Sequence, residues 1–339
     1  MFVLNTKNLL VGDIILTTSD KPLSLFVRSV TSSQYSHAML YVSNHSCIHS
    51  DINGVHSENT QRLIFGKQAH ASVLRLVNSN RDTINLACSY ARTQIGAKYT
   101  TLEAIKSAFM KNSIAHDGSN QQFCSRLVAQ AYAHAGVKLV LNPNYCFPED
   151  LASSPLLKLV EANVMLKATS DEIKFSKSKG ILQRQRKATN MILKQARNLG
   201  GVNVQTLNDL VDFVIENPAH DETIHNIARA SGYFSLWIEE RRENPWRYDV
   251  SEFLNLARPI SYKVKLAQVE LSSAQEQLQQ FEYMYAEYLQ RYQKVQLKYL
   301  FAHVELYLHL KTNSALRITT AQQVLRKLSK SSNNQNGAK

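Results

Sequence analysis

A cysteine at a predicted helix start is the side chain of this sequence best placed for nucleophilic chemistry. In residues 123–136, FCSRLVAQAYAHAG, apolar residues recur at helical spacing, and Gly136 marks the predicted end. Cys124 falls in the first turn. The partial positive charge of a helix N-terminus favours the reactive thiolate, and its backbone N–H groups can stabilise an oxyanion. We therefore predict Cys124 as a nucleophile, the alternative being a buried structural thiol. The remaining thiols are expected to be structural: Cys47, Cys88 and Cys146.

A nucleophilic thiol needs a base, and His37 begins a predicted strand, HAMLYVS, that would fix its orientation. A second polar side chain must then hold the imidazole tautomer. His49 lies in the next predicted strand. A turn at residues 44–46 would set His49 opposite Tyr41, about 13 Å along the strand from His37, so curvature or a different register must close the gap. Spacing alone leaves two other nearby candidates open, Asp51 and Glu58.

The elements that carry these residues belong to an N-terminal half of mixed structure. β-Branched runs broken by turns predict strands at 13–18, 37–43, 47–52 and 72–77. Helices are predicted at 82–95 and 123–135. Because strands and helices do not alternate strictly, the pattern indicates an α+β domain over about residues 1–165.

The second half, about residues 166–339, is predicted to be an α-helical domain. Thr169 and Glu172 have the spacing of a capping box that opens a helix running towards Gly200. From 260 onward, apolar residues alternate three and four apart, which predicts a long heptad helix over about 260–311 that packs in a bundle or a homodimer. The composition of residues 329–339 is typical of a disordered tail.

Composition excludes several classes of protein. The 339 residues carry a net charge of +12 and only four cysteines, none in a Cys-x-x-Cys pair, which argues against a disulfide scaffold or a thiolate zinc site. No apolar run is long enough to span a membrane, and the start lacks the features of a secretory signal. We therefore expect a cytoplasmic protein, with signal-independent export open.

Two further patterns have alternative interpretations. Four histidines within twenty residues could bind a metal, but no helical His-x-x-x-His spacing frames them, so no metal or cofactor is predicted. They are His37, His45, His49 and His56. A run of eight basic residues without an acid indicates a solvated helix face or a surface that docks on an anionic membrane or nucleic acid. These are Lys174, Lys177, Lys179, Arg184, Arg186, Lys187, Lys194 and Arg197.

Five segments, in this order, resemble the circularly permuted NlpC-type cysteine hydrolases, which include YiiX/YaeF-like proteins and the lecithin:retinol acyltransferase group. The segments are VGDII at 11–15, SHAMLYV at 36–42, CIHS at 47–50 with Gly54-Val55 after it, FCSRLV at 123–128, and FPEDL at 147–151. The resemblance covers about residues 8–160. It implies a permuted papain-like fold, in which His precedes Cys in the chain, and a catalytic set of Cys124, His37 and His49.

The resemblance also implies a reaction class. It suggests an amidase or peptidase that forms an acyl-enzyme on small peptides or peptidoglycan-like amides, or acyl transfer on lipid-like substrates. Ala38 replaces the family's common Val or Thr. No side-chain oxyanion donor stands out, and Tyr35 and Gln122 are candidates by proximity alone. The hypothesis from another class is a non-enzymatic interaction protein that keeps a degenerate papain-like scaffold.

Overall fold

The chain folds into two compact units in a computed structural model, which describes residues 1–20, 22–31, 33–43, 45–99, 123–161, 163–178 and 180–336. The first unit comprises Met1–Leu193 with Asn203–Leu210, and the second comprises Lys194–Val202 with Val211–Lys339. The first unit is therefore longer than the predicted 1–165 domain. Gln122 and Lys179, two residues named from the sequence, lie outside the described residues, as does Asn44 of the predicted turn.

An antiparallel sheet organises the first unit. Among the described residues its strand order is β5-β4-β3-β2-β6-β7, and a separate pair joins β1 to β8. The strands are β1 Phe2–Leu4, β2 Ile14–Thr17, β3 His37–Ser43, β4 Ser46–Asp51, β5 Gly54–Asn59, β6 Ala71–Leu76, β7 Leu157–Leu159 and β8 Met165–Lys167. The predicted strands at 13–18, 37–43, 47–52 and 72–77 correspond to β2, β3, β4 and β6.

The central strand β2 shows why this sheet forms. Both of its faces are covered, so its apolar residues are continuous instead of alternating. Ile14 and Leu16 point into a core cluster that contains Leu127, whereas Ile15 points into a second cluster with Phe65. The sheet is thus buried on both sides and holds its strands in a fixed register.

Helices pack against this sheet, and further helices follow along the chain up to the end of the first unit. They are α1 Pro22–Thr31, α2 Arg81–Thr93, α3 Cys124–His134, α4 Pro148–Ala152, α5 Ser170–Lys177 and α6 Ile181–Asn198. The predicted capping box is present: the Thr169 hydroxyl accepts from the Glu172 N–H, and the Glu172 carboxylate accepts from the Thr169 N–H. The single helix predicted to run on to Gly200 is wrong, because it is divided into α5 and α6.

The second unit is helical, as the sequence predicts. Its helices are the end of α6, most of α7 Leu207–Glu216, then α8 Asp221–Ala230, α9 Leu236–Glu243, α10 Val250–Leu254, α11 Ile260–Val295 and α12 Lys298–Asn336. The predicted uninterrupted helix over about 260–311 is wrong. Gln296 adopts a left-handed conformation with φ 50°, and the chain reverses into an α11–α12 hairpin. Helix α12 then continues to Asn336, into the tail predicted to be disordered.

The hairpin is held by its own side chains. Arg317 on α12 donates to the Glu270 carboxylate and to the Gln277 amide oxygen on α11. Phe253 of α10 packs with Ala267 and Val324 in a small core cluster. The apolar stripe is therefore covered inside this unit, in agreement with the predicted bundle. Within the ranges that the structure describes, no helix combines the length and apolar content needed to cross a lipid bilayer.

Candidate active site

Cys124 is the first residue of helix α3, directly after Phe123, which is extended with φ −115° and ψ 165°. Leu127, Val128 and Ala131 bury one face of α3 against the sheet. The Cys124 side chain lies at the edge of that core. It is 8% exposed, against 0% for Cys47, 1% for Cys88 and 2% for Cys146, so it is the most accessible of the four thiols.

The protonation state of Cys124 differs from the expectation for a helix N-terminus. Burial raises the pKa of the Cys124 thiol, and this outweighs hydrogen bonds from the backbone N–H groups of Ala38 and Ser125, which lower it. The desolvation of a thiolate at this position therefore has a larger effect on the pKa than the start of the helix. The sulfur is therefore a thiol in the resting protein, and it lies beside the backbone of the residue that follows His37.

His37 and His49 are joined directly. His37 Nε2 lies 2.9 Å from His49 Nδ1, and the two rings meet edge to face with centroids 4.9 Å apart. The 13 Å separation expected from a simple turn is wrong because the register is different. Ser43 pairs with Ser46, an irregularity follows, and Leu40 pairs with Ile48. His49 therefore lies near the position opposite Met39, about 7 Å along the strand from His37.

Both imidazoles of this pair are neutral near physiological pH. Burial lowers the pKa of His37 to about 4, partly opposed by the nearby carboxylate of Asp51. Burial chiefly lowers the pKa of His49 well below its usual range, and the nearness of His37, His56 and Arg186 lowers it further. Because His37 uses Nε2 for His49, its Nδ1 is the nitrogen left to act as a base. Within the described ranges, no hydrogen bond joins the Cys124 sulfur to His37.

The other residues considered from the sequence have different partners. Asp51 Oδ1 accepts from the N–H of Asn53, and Glu58 Oε1 accepts from the N–H of Asn59. The Tyr35 hydroxyl donates to the Ser72 hydroxyl at 3.1 Å. In the described part of the chain, neither carboxylate is hydrogen-bonded to His37. Tyr99, in contrast, lies near Cys124. Burial chiefly raises the pKa of the Tyr99 hydroxyl, and the nearby Cys124 and Asp51 raise it further.

Two of the histidines and an aspartate lie close enough together to be potential metal ligands. His49, Asp51 and His56 have potential ligand atoms within 4.8 Å of one another, whereas His45 is not in this group. Both nitrogens of His56 are engaged, however: Nδ1 lies 2.9 Å from the Gly54 carbonyl oxygen and Nε2 lies 2.9 Å from Arg186 Nη1. A guanidinium on a ligand nitrogen opposes cation binding, so this cluster does not fit a metal ion as it stands.

Three of the five segments that resemble the family make contacts that hold the elements around the site in place. Buried Asp13 of VGDII receives both the Nε and Nη2 hydrogen bonds of Arg75, at 2.7 and 2.8 Å, which ties β2 to β6. Ser125, after Cys124, donates to the Cys146 carbonyl oxygen at 2.7 Å. Glu149 of FPEDL accepts from the Ser33 hydroxyl at 2.9 Å and so holds the segment that leads into His37. These contacts fix the ends of β2, α3 and β3 around one region.

The order of the strands and the position of the cysteine helix define a papain-like domain in permuted form, with the histidine strand before the cysteine helix. Residues 8–145 match the family model of the permuted papain-like amidase enzymes, YaeF/YiiX, family C92. This match confirms the resemblance to the permuted papain-like family over that segment, and the family is one of hydrolases. No curated protein matches the chain significantly.

Sequence reasoning missed the surroundings of His49. The sequence suggests His56 only as a possible metal ligand, and Arg186 only as part of a basic run that is either a solvated face or a docking surface for an anionic partner. The structure instead pairs His49 with His56 across β4 and β5 and brings Arg186 of α6 onto His56. The one sequence signal nearby is the Asn53-Gly54 turn, which joins the two strands that carry the histidines.

Proposed function

We propose that the first unit is a cysteine hydrolase of the amidase or peptidase type, with Cys124 as nucleophile, His37 as base and His49 as the residue that orients His37. The observation that carries this proposal is the 2.9 Å contact between His37 Nε2 and His49 Nδ1. It leaves one ring nitrogen of His37 for the thiol, and the sulfur of Cys124 lies beside the adjacent backbone N–H of Ala38. A histidine whose far nitrogen is fixed in this way has the arrangement that a thiol nucleophile requires.

The chemistry follows from these positions. His37 Nδ1 takes the thiol proton as the sulfur attacks the substrate carbonyl carbon, and a tetrahedral oxyanion forms. Backbone N–H groups close to the sulfur, such as that of Ser125 at the start of α3, are candidate donors for that oxyanion. The imidazolium then protonates the leaving amine, and a thioester remains on Cys124. Water, deprotonated by His37, releases the carboxylic acid and restores the thiol.

A neutral resting pair suits this sequence of steps. Since the pKa of Cys124 is raised and that of His37 is lowered, the proton stays on sulfur until a carbonyl carbon is in place. Charge therefore develops only during attack, where the oxyanion donors can stabilise it. A thiol held in this state is also less prone to oxidation than a free thiolate.

Kinetics of single and double variants test the proposal. Hydrolysis of a panel of aminoacyl and fatty-acyl anilides should fall by at least about 10³-fold in Cys124→Ala and in His37→Ala. The double variant should lose little more, because the two residues act as one unit. His49→Ala should have a smaller effect. Full activity in Cys124→Ser would show that the thiol is not the nucleophile.

A matched control separates chemistry from folding. Cys88 on α2 is 1% exposed, and Cys88→Ala removes a thiol without touching the proposed site. It should keep the turnover of the parent protein. If no anilide, ester or peptide is cleaved by the parent while its Cys124 reacts no faster with iodoacetamide than the other thiols, the non-enzymatic interpretation replaces the proposal.

A further inference from the structure

Helix α6 packs on the hairpin that carries His49. Its Arg186 Nη1 donates to His56 Nε2 at 2.9 Å, and its Asn190 Nδ2 donates to the Asn53 carbonyl oxygen at 3.1 Å. Both contacts lie inside the first unit. The expectation that the whole basic run faces outward is therefore wrong at Arg186, which is half-buried and directed at the histidines, whereas its neighbour Lys187 is exposed.

The contact with Arg186 fixes the protonation of His56. A guanidinium has donors only, so His56 Nε2 must be the acceptor. The ring proton is then on Nδ1, which donates to the Gly54 carbonyl oxygen at 2.9 Å. Burial lowers the pKa of His56, with the charge of Arg186 acting in the same direction and the carboxylate of Asp51 opposing it. His56 is consequently a neutral ring held at both nitrogens.

His49 depends on this ring for its orientation. The two histidines are cross-strand partners, and their ring centroids are 4.4 Å apart. His49 Nε2 is buried and, among the described residues, has no hydrogen-bond partner. The bond from Nδ1 to His37 alone leaves the His49 ring free to tilt about that nitrogen. Packing against a doubly held His56 removes this freedom.

We propose that His56 and Arg186 are positioning residues, which hold the His49 imidazole in the orientation that bonds His37. Arg186 lies outside the segment 8–145 that matches the family, so the proposal extends the catalytic unit to helix α6. It rests on the function proposed for Cys124 and His37. The positive charge of Arg186 also disfavours a second proton on His49. The proton taken from the thiol during attack on the substrate therefore stays on His37.

The charged and titratable groups that act on His49 and its two histidine partners come from several elements: His37 of β3, Asp51 of β4, His56 and Glu58 of β5, and Arg186 of α6. The carboxylates favour protonation of the histidines, whereas Arg186 opposes it. Removing Arg186 therefore leaves the carboxylates unopposed. The pH at which His49 and His56 gain a proton should therefore rise, and a protonated His49 can no longer accept a hydrogen bond from His37.

The test compares three variants of the full chain. Arg186→Gln should lower kcat/KM by about tenfold and move the acid limb of its pH profile upward by roughly 0.5–1 pH unit. Arg186→Lys keeps the charge and should keep the acid limb. Lys187→Gln removes the same charge from the exposed side of the same helix and should match the parent. Unchanged profiles in all three variants would overturn the proposal.

A second readout does not need turnover. Histidines labelled with ¹³C at Cε1 report the titration of His49 and His56 by NMR, and the midpoint should rise in Arg186→Gln and stay in Lys187→Gln. If that shift is seen but the parent has no hydrolase activity, the proposed function fails and the positioning role stands. If the parent is active and neither the midpoint nor the pH profile responds to Arg186→Gln, the positioning role fails alone.

Discussion

His37 should stay neutral at acidic pH values at which an ordinary histidine is already protonated. Burial lowers its pKa from 6.5 to about 4, and the Asp51 carboxylate offsets only part of this. The neutral form is thus present above about pH 4 and is lost as the pH falls through that value. At pH 5.5, about 97% of His37 should be neutral, against about 9% for a histidine with a pKa of 6.5.

The assay is a ¹³C NMR titration of the eleven histidines labelled at Cε1. The His37 signal is assigned as the one missing from His37→Gln, and the same chain unfolded in urea supplies the ordinary midpoint near 6.5. We expect the folded His37 signal to stay at its neutral position down to about pH 5. A midpoint at or above pH 6 would refute the argument, because burial would then not control this base.

Two other predictions concern the rest of the chain. His303 is 1% exposed and packs on Tyr288 with ring centroids 4.5 Å apart, and burial lowers its pKa to about 4. As the pH falls from about 6.5 to 4, its forced protonation should cost the second unit about 3 kcal/mol of unfolding free energy. The His303→Met variant should lose less unfolding free energy over this pH range, as measured by urea unfolding followed through the two tryptophans, Trp237 and Trp246. Equal losses in the variant and the parent would contradict the argument. Separately, replacing the exposed Lys174, Lys177 and Lys187 with Gln should weaken binding to anionic liposomes at least about tenfold at low salt without changing alkylation of Cys124. Equal binding across a salt series would return this segment to a merely solvated face.

Much of the fold can be predicted because its local signals agree with its packing. The apolar run of β2 and the helical periodicity around Cys124 both match surfaces that are buried in the structure. The helix stop at Gly136 is also real, since this glycine has a φ of 82° that other residues rarely adopt. Cys124 could therefore be placed at a helix start from the sequence alone.

Pairing across strands could not be predicted in the same way. The partner of His49 depends on the turn at Asn53 and Gly54. If these two residues formed the centre of a two-residue turn, as is usual for Asn-Gly, Glu58 would face His49. In the structure Asp51 pairs with Gly54, so His56 takes that place. A Cβ on Gly54 would lie 2.5 Å from the Ala97 carbonyl oxygen, so a tertiary contact accompanies this register.

Contacts between distant segments were beyond local patterns as well. Arg186 reads as part of a solvated basic helix, because nothing in its sequence neighbourhood reveals the histidine 130 residues earlier. The break at Gln296 is similar. Its flanking residues are good helix formers, and the reversal is stabilised by contacts such as Tyr288 with His303 across the hairpin. At Gln296 tertiary packing overrides local helix propensity, and at Arg186 it places one residue of a basic helix against the histidines.

Direct observation of an acyl group on Cys124 tests the central claim most sharply. The parent protein is mixed with an activated acyl ester, quenched in acid within the first turnover, and analysed by intact-protein and peptide mass spectrometry. We expect one acyl group per chain, on Cys124, removable by neutral hydroxylamine as a thioester. The adduct should be absent in Cys124→Ala and present in Cys88→Ala. Turnover without an adduct on Cys124, or an acyl group on another residue that disappears at the rate of turnover, would contradict the account.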